Sequence, residues 1–196
     1  MSPADRPHAP ARLGEARHGV GREGGELRFF RRRVTLDEIP VASLARLYAW
    51  WNGQLHGRAM PARKDFTPAD VAYMLGCLHL VDVEGAPVRF RFRLTGSETV
   101  LRLGFDPTGG YVDDIRPREY AEFLRETYLE AVAARTPICN YVHFDFAERS
   151  TRYVHLLLPL SDDGARINML MIGASGNREW HDAFRELFET GGGRRR

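Results

Sequence analysis

A chain of 196 residues has room for one hydrophobic core with decorated ends. Its hydrophobic fraction of 43% excludes a disordered polymer, and a net charge of +2 excludes a polyanion binder by composition. Two cysteines, Cys77 and Cys139, are too few for a disulfide framework and stand in no metal-binding spacing, so both read as reduced, buried, small apolar residues.

Residues 1–33 are rich in Pro, Gly, Ala and Arg without an apolar period, and carry an excess of four positive charges. They are expected to form a flexible basic tail. Within it, Phe29-Phe30-Arg31-Arg32-Arg33 has the chemistry to touch anionic lipid or nucleic acid. One short cluster supplies little binding energy, so a solvated arm is the expectation and composition argues against a nucleic-acid partner.

Residues 34–76 read as an N-terminal helical segment. A helix over about 39–54 carries Leu44, Leu47, Tyr48, Trp51 and Leu55 on one stripe, with Pro40 in its first turn and Thr35 or Asp37 as cap. The stripe fits either the outer face of a sheet or a second copy of the chain. After a loop through Met60-Pro61-Ala62-Arg63-Lys64-Asp65, Thr67 caps a short helix from Pro68 to Leu75, ended by Gly76.

Residues 77–175 contain the strands. Cys77 to Val83 is the first and Val88 to Leu94 the second, joined by a turn at Gly85. In the second, Phe90, Phe92 and Leu94 alternate with Arg89, Arg91 and Arg93, so the arginines are expected as a solvated ladder on the opposite face. Ser97 to Leu103 is a short helix. A Gly-rich loop through Asp106-Pro107-Thr108-Gly109-Gly110-Tyr111 follows, with few large apolar residues, as a lid over a small cavity would have. A long helix from Pro117 to about Arg135 presents Tyr120, Phe123, Leu124, Tyr128, Ala131 and Val132. Three strands close the segment: Ile138 to Phe146, Arg152 to Leu160 and Ile167 to Ala174. The last is apolar on both faces, which predicts a central place in the sheet with a cover on its outer side. Residues 176–190 carry a C-terminal amphipathic helix with Trp180, Ala183, Phe184, Leu187 and Phe188 on its stripe, and 191–196 a disordered tail.

The element order is an α+β plan with an antiparallel sheet. Several motifs in this order make the chain similar to the PAS domain superfamily, and more closely to an alphaproteobacterial family of stand-alone PAS-like domains. They are Met60-Pro61-Ala62-Arg63-Lys64-Asp65, Leu80-Val81-Asp82-Val83, Arg89-Phe90-Arg91-Phe92-Arg93-Leu94-Thr95-Gly96, Asp106-Pro107-Thr108-Gly109-Gly110-Tyr111, and Leu156-Leu157-Leu158-Pro159-Leu160-Ser161-Asp162-Asp163-Gly164. The likeness runs from Val41 to Ser175. It implies a five-stranded sheet in the order 2-1-5-4-3 with helices over one face, a small cavity, and no catalytic residue to carry over.

On that plan the cavity wall is expected from Phe90, Phe92, Leu94, Val100, Leu103, Phe123, Met169 and Met171, with Tyr111 closing the lid. Strand parity puts His143 with Tyr141 and Asp145, and His155 with Tyr153 and Leu157. Exposed polar positions on the outer face are preferred over cavity ligands for both histidines. The spacing supports no metal site and names no cofactor. No apolar run has the roughly 18 residues of a spanning helix and no signal region is evident, so a cytoplasmic protein is expected. The leading functional reading is a single-domain sensory or regulatory module, not an enzyme and without an output domain. It would bind a small ligand and act as a homodimer or through a signalling partner. A ligand-free interaction scaffold is the alternative. A cone-shaped, NTF2-like enzyme using His143, Asp145 and Tyr141 is the third reading, and strand order separates it from the other two.

Overall fold

A computed structural model describes residues 16–20, 27–146 and 149–176. Its strands are β1 (Ala16–Val20), β2 (Leu27–Val34), β3 (Leu78–Glu84), β4 (Arg89–Thr95), β5 (Ile138–Phe146), β6 (Arg149–Leu160) and β7 (Met169–Gly176). Its helices are α1 (Ala42–Gly53), α2 (Ser97–Leu103) and α3 (Arg118–Ala134), with a kinked 3₁₀ segment at Pro68–Cys77. All the strand pairs are antiparallel, in the order β1-β2-β5-β6-β7-β3-β4. Without β1 and β2, the remaining five run β4-β3-β7-β6-β5, the expected 2-1-5-4-3. The cone-fold enzyme reading ends with that order.

The two additional strands correct the expectation of a flexible tail over residues 1–33. β2 pairs with β5 from Arg28↔Asp145 to Val34↔Cys139, so it covers an edge that would otherwise offer unpaired backbone groups. Its period of two is hidden because arginine stands at inward positions. Phe29 is buried and stacks on Phe123 with centroids 4.6 Å apart. On the same face Arg31 donates to Thr127 Oγ1 (2.8 Å) and pairs with Glu130 (2.9 Å), and Arg33 also pairs with Glu130. The aromatic–arginine cluster is thus split between two faces, and two of its charges meet one carboxylate on α3. Glu130→Ala is expected to weaken the fold by about 1 kcal/mol, because the pair is partly exposed. Hydrogen exchange should rise at the amides of residues 29–33 and stay unchanged in β7.

The sheet is covered on both faces, where one was expected. α3 lies on the face of Phe29, Ile138 and His155. α1 lies on the other, where Leu44 and Leu47 close over Gly173 and Trp51 Nε1 donates to the Pro159 carbonyl (2.9 Å). Burying Leu44, Leu47 and Trp51 contributes roughly 1.5–3 kcal/mol each. This assigns the stripe of α1 to the outer face of its own sheet and supplies the cover expected for β7. α1 begins at Ala42, after Pro40. Neither Thr35 nor Asp37 caps it, since its cap position is Val41 and the Thr35 hydroxyl donates to Glu38 (2.6 Å).

Thr67 and Asp70 do meet as expected: the Asp70 carboxylate accepts from Thr67 N (2.8 Å) and Oγ1 (2.7 Å). The segment they start is 3₁₀ and continues through Gly76 to Cys77. Two motifs distant in sequence also join. Ser161 N donates to the Pro61 carbonyl (2.9 Å) and Arg63 N to Asp162 (3.0 Å), while Asp65 accepts from Ala62 N (2.8 Å). The expected C-terminal helix and tail lie outside the described residues.

Candidate functional site

A cavity of ≈40 Å³ lies between α2, α3 and the β3–β4 end of the sheet. Its lining is assembled from each of these elements. α3 contributes Tyr120, Leu124 and Tyr128, spaced four apart on its inner stripe, and α2 contributes Thr99 and Leu103. The sheet contributes His79, Phe92 and Thr95; Pro107 and Ile115 complete the wall.

Of the residues expected from sequence, the structure places Phe92 and Leu103 on the cavity. Phe90 lies beside it, buried and edge-on to Tyr128 at 5.3 Å. Val100 is half-buried on α2 and lies off the lining. Phe123 covers the other half of the sheet, against Phe29 and His155.

Four assignments require correction. Leu94 is 39% exposed. The register steps from Leu80↔Leu94 to Val81↔Phe92, so Arg93 is an extra residue in β4. That bulge turns Leu94 away from the face of Phe90 and Phe92 and turns Thr95 onto it. Met169 and Met171 are buried on the opposite face: Met171 pairs between Leu80 and Leu158, in parity with Gly173 under α1. Tyr111 bridges to Arg91 at the β4 edge, lies under the Arg89 guanidinium (3.7 Å) and donates to Glu84 (3.2 Å). The Gly-rich loop, expected as a lid, hydrogen-bonds to that edge instead, through Gly109 N to Phe92 O and Phe92 N to Gly110 O.

The arginine ladder is exposed as expected, yet tethered. Arg93 meets Asp82 at 2.7 Å, Arg91 donates to Gly109 O at 3.1 Å, and Arg89 covers Tyr111. The two histidines of β5 and β6 face opposite ways. His143 is partly exposed on the outer face beside Asp145 (3.0 Å). His155 is 3% exposed under α3, a correction to its expected outer position, and Asn140 Nδ2 lies 3.0 Å from its Nε2. Tyr141, His143 and Asp145 therefore share an outer face remote from the cavity.

The polar groups of the cavity have a defined order. Arg102, buried in α2, donates to Thr99 Oγ1 at 2.6 Å. That leaves the Thr99 hydroxyl proton for His79 Nε2, 3.3 Å away. Nε2 then accepts, and the ring proton sits on Nδ1. Nδ1 of His79 and Oγ1 of Thr95 are both buried, and neither hydrogen-bonds to a described residue. Burial, helped by the charge of Arg102, pushes the His79 pKa down to about 4, so the ring is neutral at pH 7. Nearby, the Cys77 thiol donates to Glu98 (3.1 Å); burial first and that hydrogen bond second raise its pKa to about 11. Burial raises Cys139 to about 11 as well, and both thiols are protonated. Among the described residues no group of His, Cys, Asp and Glu could hold a metal ion.

A site of this kind, enclosed between short helices and a 2-1-5-4-3 antiparallel sheet, marks a class of small sensory and regulatory domains. The chain belongs to the PAS domain family, whose model matches residues 39–173. Among solved structures it is similar to the PAS domain from Bordetella pertussis BvgS, at 18% identity and a TM-score of 0.42, over 58% of this chain and 85% of that one. It is also similar to an RNA-binding light-oxygen-voltage receptor, at 11% identity and a TM-score of 0.42, over 83% of this chain and 41% of that one. No curated protein matches the chain. No helix among the described residues is long and apolar enough to cross a membrane.

Proposed function

We propose that this chain is a cytoplasmic PAS-type sensory or regulatory module that takes a very small hydrogen-bond acceptor into the cavity and reports it through protein contacts, as a homodimer or with a signalling partner. The observation that carries this reading is the pair of unpaired groups, His79 Nδ1–H and Thr95 Oγ1, on one enclosed wall. An unpaired buried donor costs roughly 1–3 kcal/mol, which an acceptor in the cavity would recover. At ≈40 Å³ the space suits one or a few water-sized molecules, far below the roughly 300–1,000 Å³ of a drug-sized pocket. That volume favours the second reading, an interaction scaffold whose core is filled by its own side chains. No catalytic role is assigned to any residue.

Native mass spectrometry and an amide NMR titration with formamide or acetamide separate the two. The sensor reading expects a retained small molecule, or saturable shifts at residues 79, 95, 103 and 128. His79→Leu should abolish those shifts while costing no more than about 1 kcal/mol, since it removes an unsatisfied polar group at similar volume. An unchanged spectrum together with an unliganded mass leaves the scaffold. The same mass spectrum reads the number of subunits.

A further inference from the structure

A second concavity lies at one end of the sheet and shares no residue with the first. The β3–β4 turn, the C-terminus of α3 and the β6–β7 turn enclose an open groove of ≈580 Å³. Its apolar wall is Val83, Val88, Val132 and Ile167, and its only charged lining residues are Arg135 and Arg166. Among the described residues neither guanidinium forms an ion pair or a hydrogen bond, and no carboxylate lines the groove. The carboxylate closest in sequence to Arg166, Asp163, serves its own turn and accepts from Ser161 Oγ, Ala165 N and Arg166 N.

Arg135 is also a costly choice for folding alone. It ends α3 in the left-handed conformation, at φ 57° and ψ 18°. Glycine is the favoured residue there, because a side chain in that region is strained. A cation does complement the negative end of a helix, but that effect is small at an exposed position. The sequence retains a long cationic side chain where backbone geometry favours none, on the rim of an apolar groove.

We infer that this groove binds an amphipathic carboxylate: an apolar chain lying on Val83, Val88, Val132 and Ile167, with its anionic head held between Arg135 and Arg166. Guanidinium groups pair with carboxylates through two parallel N–H···O bonds, which gives the head both its place and its selectivity. The partial negative charge at the end of α3 opposes an anion, and it is outweighed by two full positive charges without counterions. The groove volume falls in the range of small-molecule sites.

The test is an amide NMR titration of the full chain with octanoate and with its neutral counterpart, octanamide. Octanoate should give saturable shifts confined to residues 83–88, 132–135 and 165–167, and octanamide should bind about tenfold more weakly. Arg166→Gln should weaken octanoate about fivefold or more. Arg135→Gly should weaken it similarly while Tm stays level or rises, an outcome that a purely structural arginine would not give. Equal binding of acid and amide, shifts centred on the His79 cavity, or no saturable shift would each overturn the inference. Because the two sites share no residue, failure here leaves the cavity reading untouched, and the converse holds.

Discussion

Gly96→Ala is expected to destabilise the protein by about 3 kcal/mol or more, while Gly76→Ala, at the residue it touches, costs about 1 kcal/mol or less. Backbone strain at Gly96 is not the reason, since its φ of −63° and ψ of 144° suit any residue. Space is the reason. A Cβ on Gly96 would lie 2.3 Å from the Gly76 carbonyl oxygen, 2.5 Å from the Gly76 carbonyl carbon and 2.5 Å from the Leu75 oxygen. These are main-chain atoms of the segment crossing above, and no rotamer change can move them. Gly96 is itself pinned from below, because its N–H donates to the Leu78 carbonyl at 2.8 Å. A Cβ on Gly76 would instead meet Glu98 Cγ at 2.9 Å, the middle of an adjustable side chain. Its main loss would be the hydrogen bond from Cys77. Urea unfolding followed by circular dichroism measures both variants. A Gly96→Ala protein within about 1 kcal/mol of the parent would mean that the crossing opens easily. The consequence reaches the site, because Thr95 and Thr99 flank Gly96 and both line the cavity.

The legible part of this fold was whatever one periodicity could express. α2 was expected at Ser97–Leu103 and β5 at Ile138–Phe146, and both stand there, because each is a short run bounded by clear turn residues. The likeness expected over residues 41–175 agrees closely with the family match over 39–173. β7 was readable as central because both its faces are apolar. The site was less legible, for reasons that parity cannot capture. A single bulge at Arg93 exchanged Leu94 for Thr95 on the cavity wall. Met169 and Met171 looked like adaptable wall residues, but the choice between two apolar faces depends on where α1 packs, which lies far away in sequence. β2 was hidden because Arg31 and Arg33 point inward and find Glu130 on a helix almost a hundred residues later. His79, Thr95 and Thr99 carried no spacing signal; they form a unit only when β3, β4 and α2 meet. The inner stripe of α3 was the available clue, since Tyr120, Leu124 and Tyr128 already shared a face.

Stability is expected to fall as pH drops from about 6.5 towards 4, with a slope near pH 5 that one substitution roughly halves. Two histidines are buried in neutral form. Burial, then the charge of Arg102, lowers His79 to about 4; burial, then Arg31 and Arg33, lowers His155 to about 3. In the unfolded chain both return to about 6.5. Between those values the unfolded state binds more protons than the folded state, so stability rises with pH across the window. The contribution is fully present above about 6.5 and is lost progressively below it, until the folded histidines protonate too. Each histidine adds a slope approaching roughly 1.4 kcal/mol per pH unit. Asp65, Asp70, Asp106 and Asp163 also have lowered values, but their ordinary value is 3.8, so their share appears mainly below the histidine window. Near pH 5 the slope therefore belongs chiefly to the ring nitrogens. His155→Gln keeps an acceptor for Asn140 and removes one titration, and His79→Leu removes the other. Each should reduce the slope of unfolding free energy against pH by about half, and the double variant should flatten it. A parent protein whose unfolding free energy is level between pH 7 and 5 would show that these rings reach water in the folded state. In that case the cavity wall at His79 would be open to solvent, and its Nδ1–H would not be available to hold a ligand.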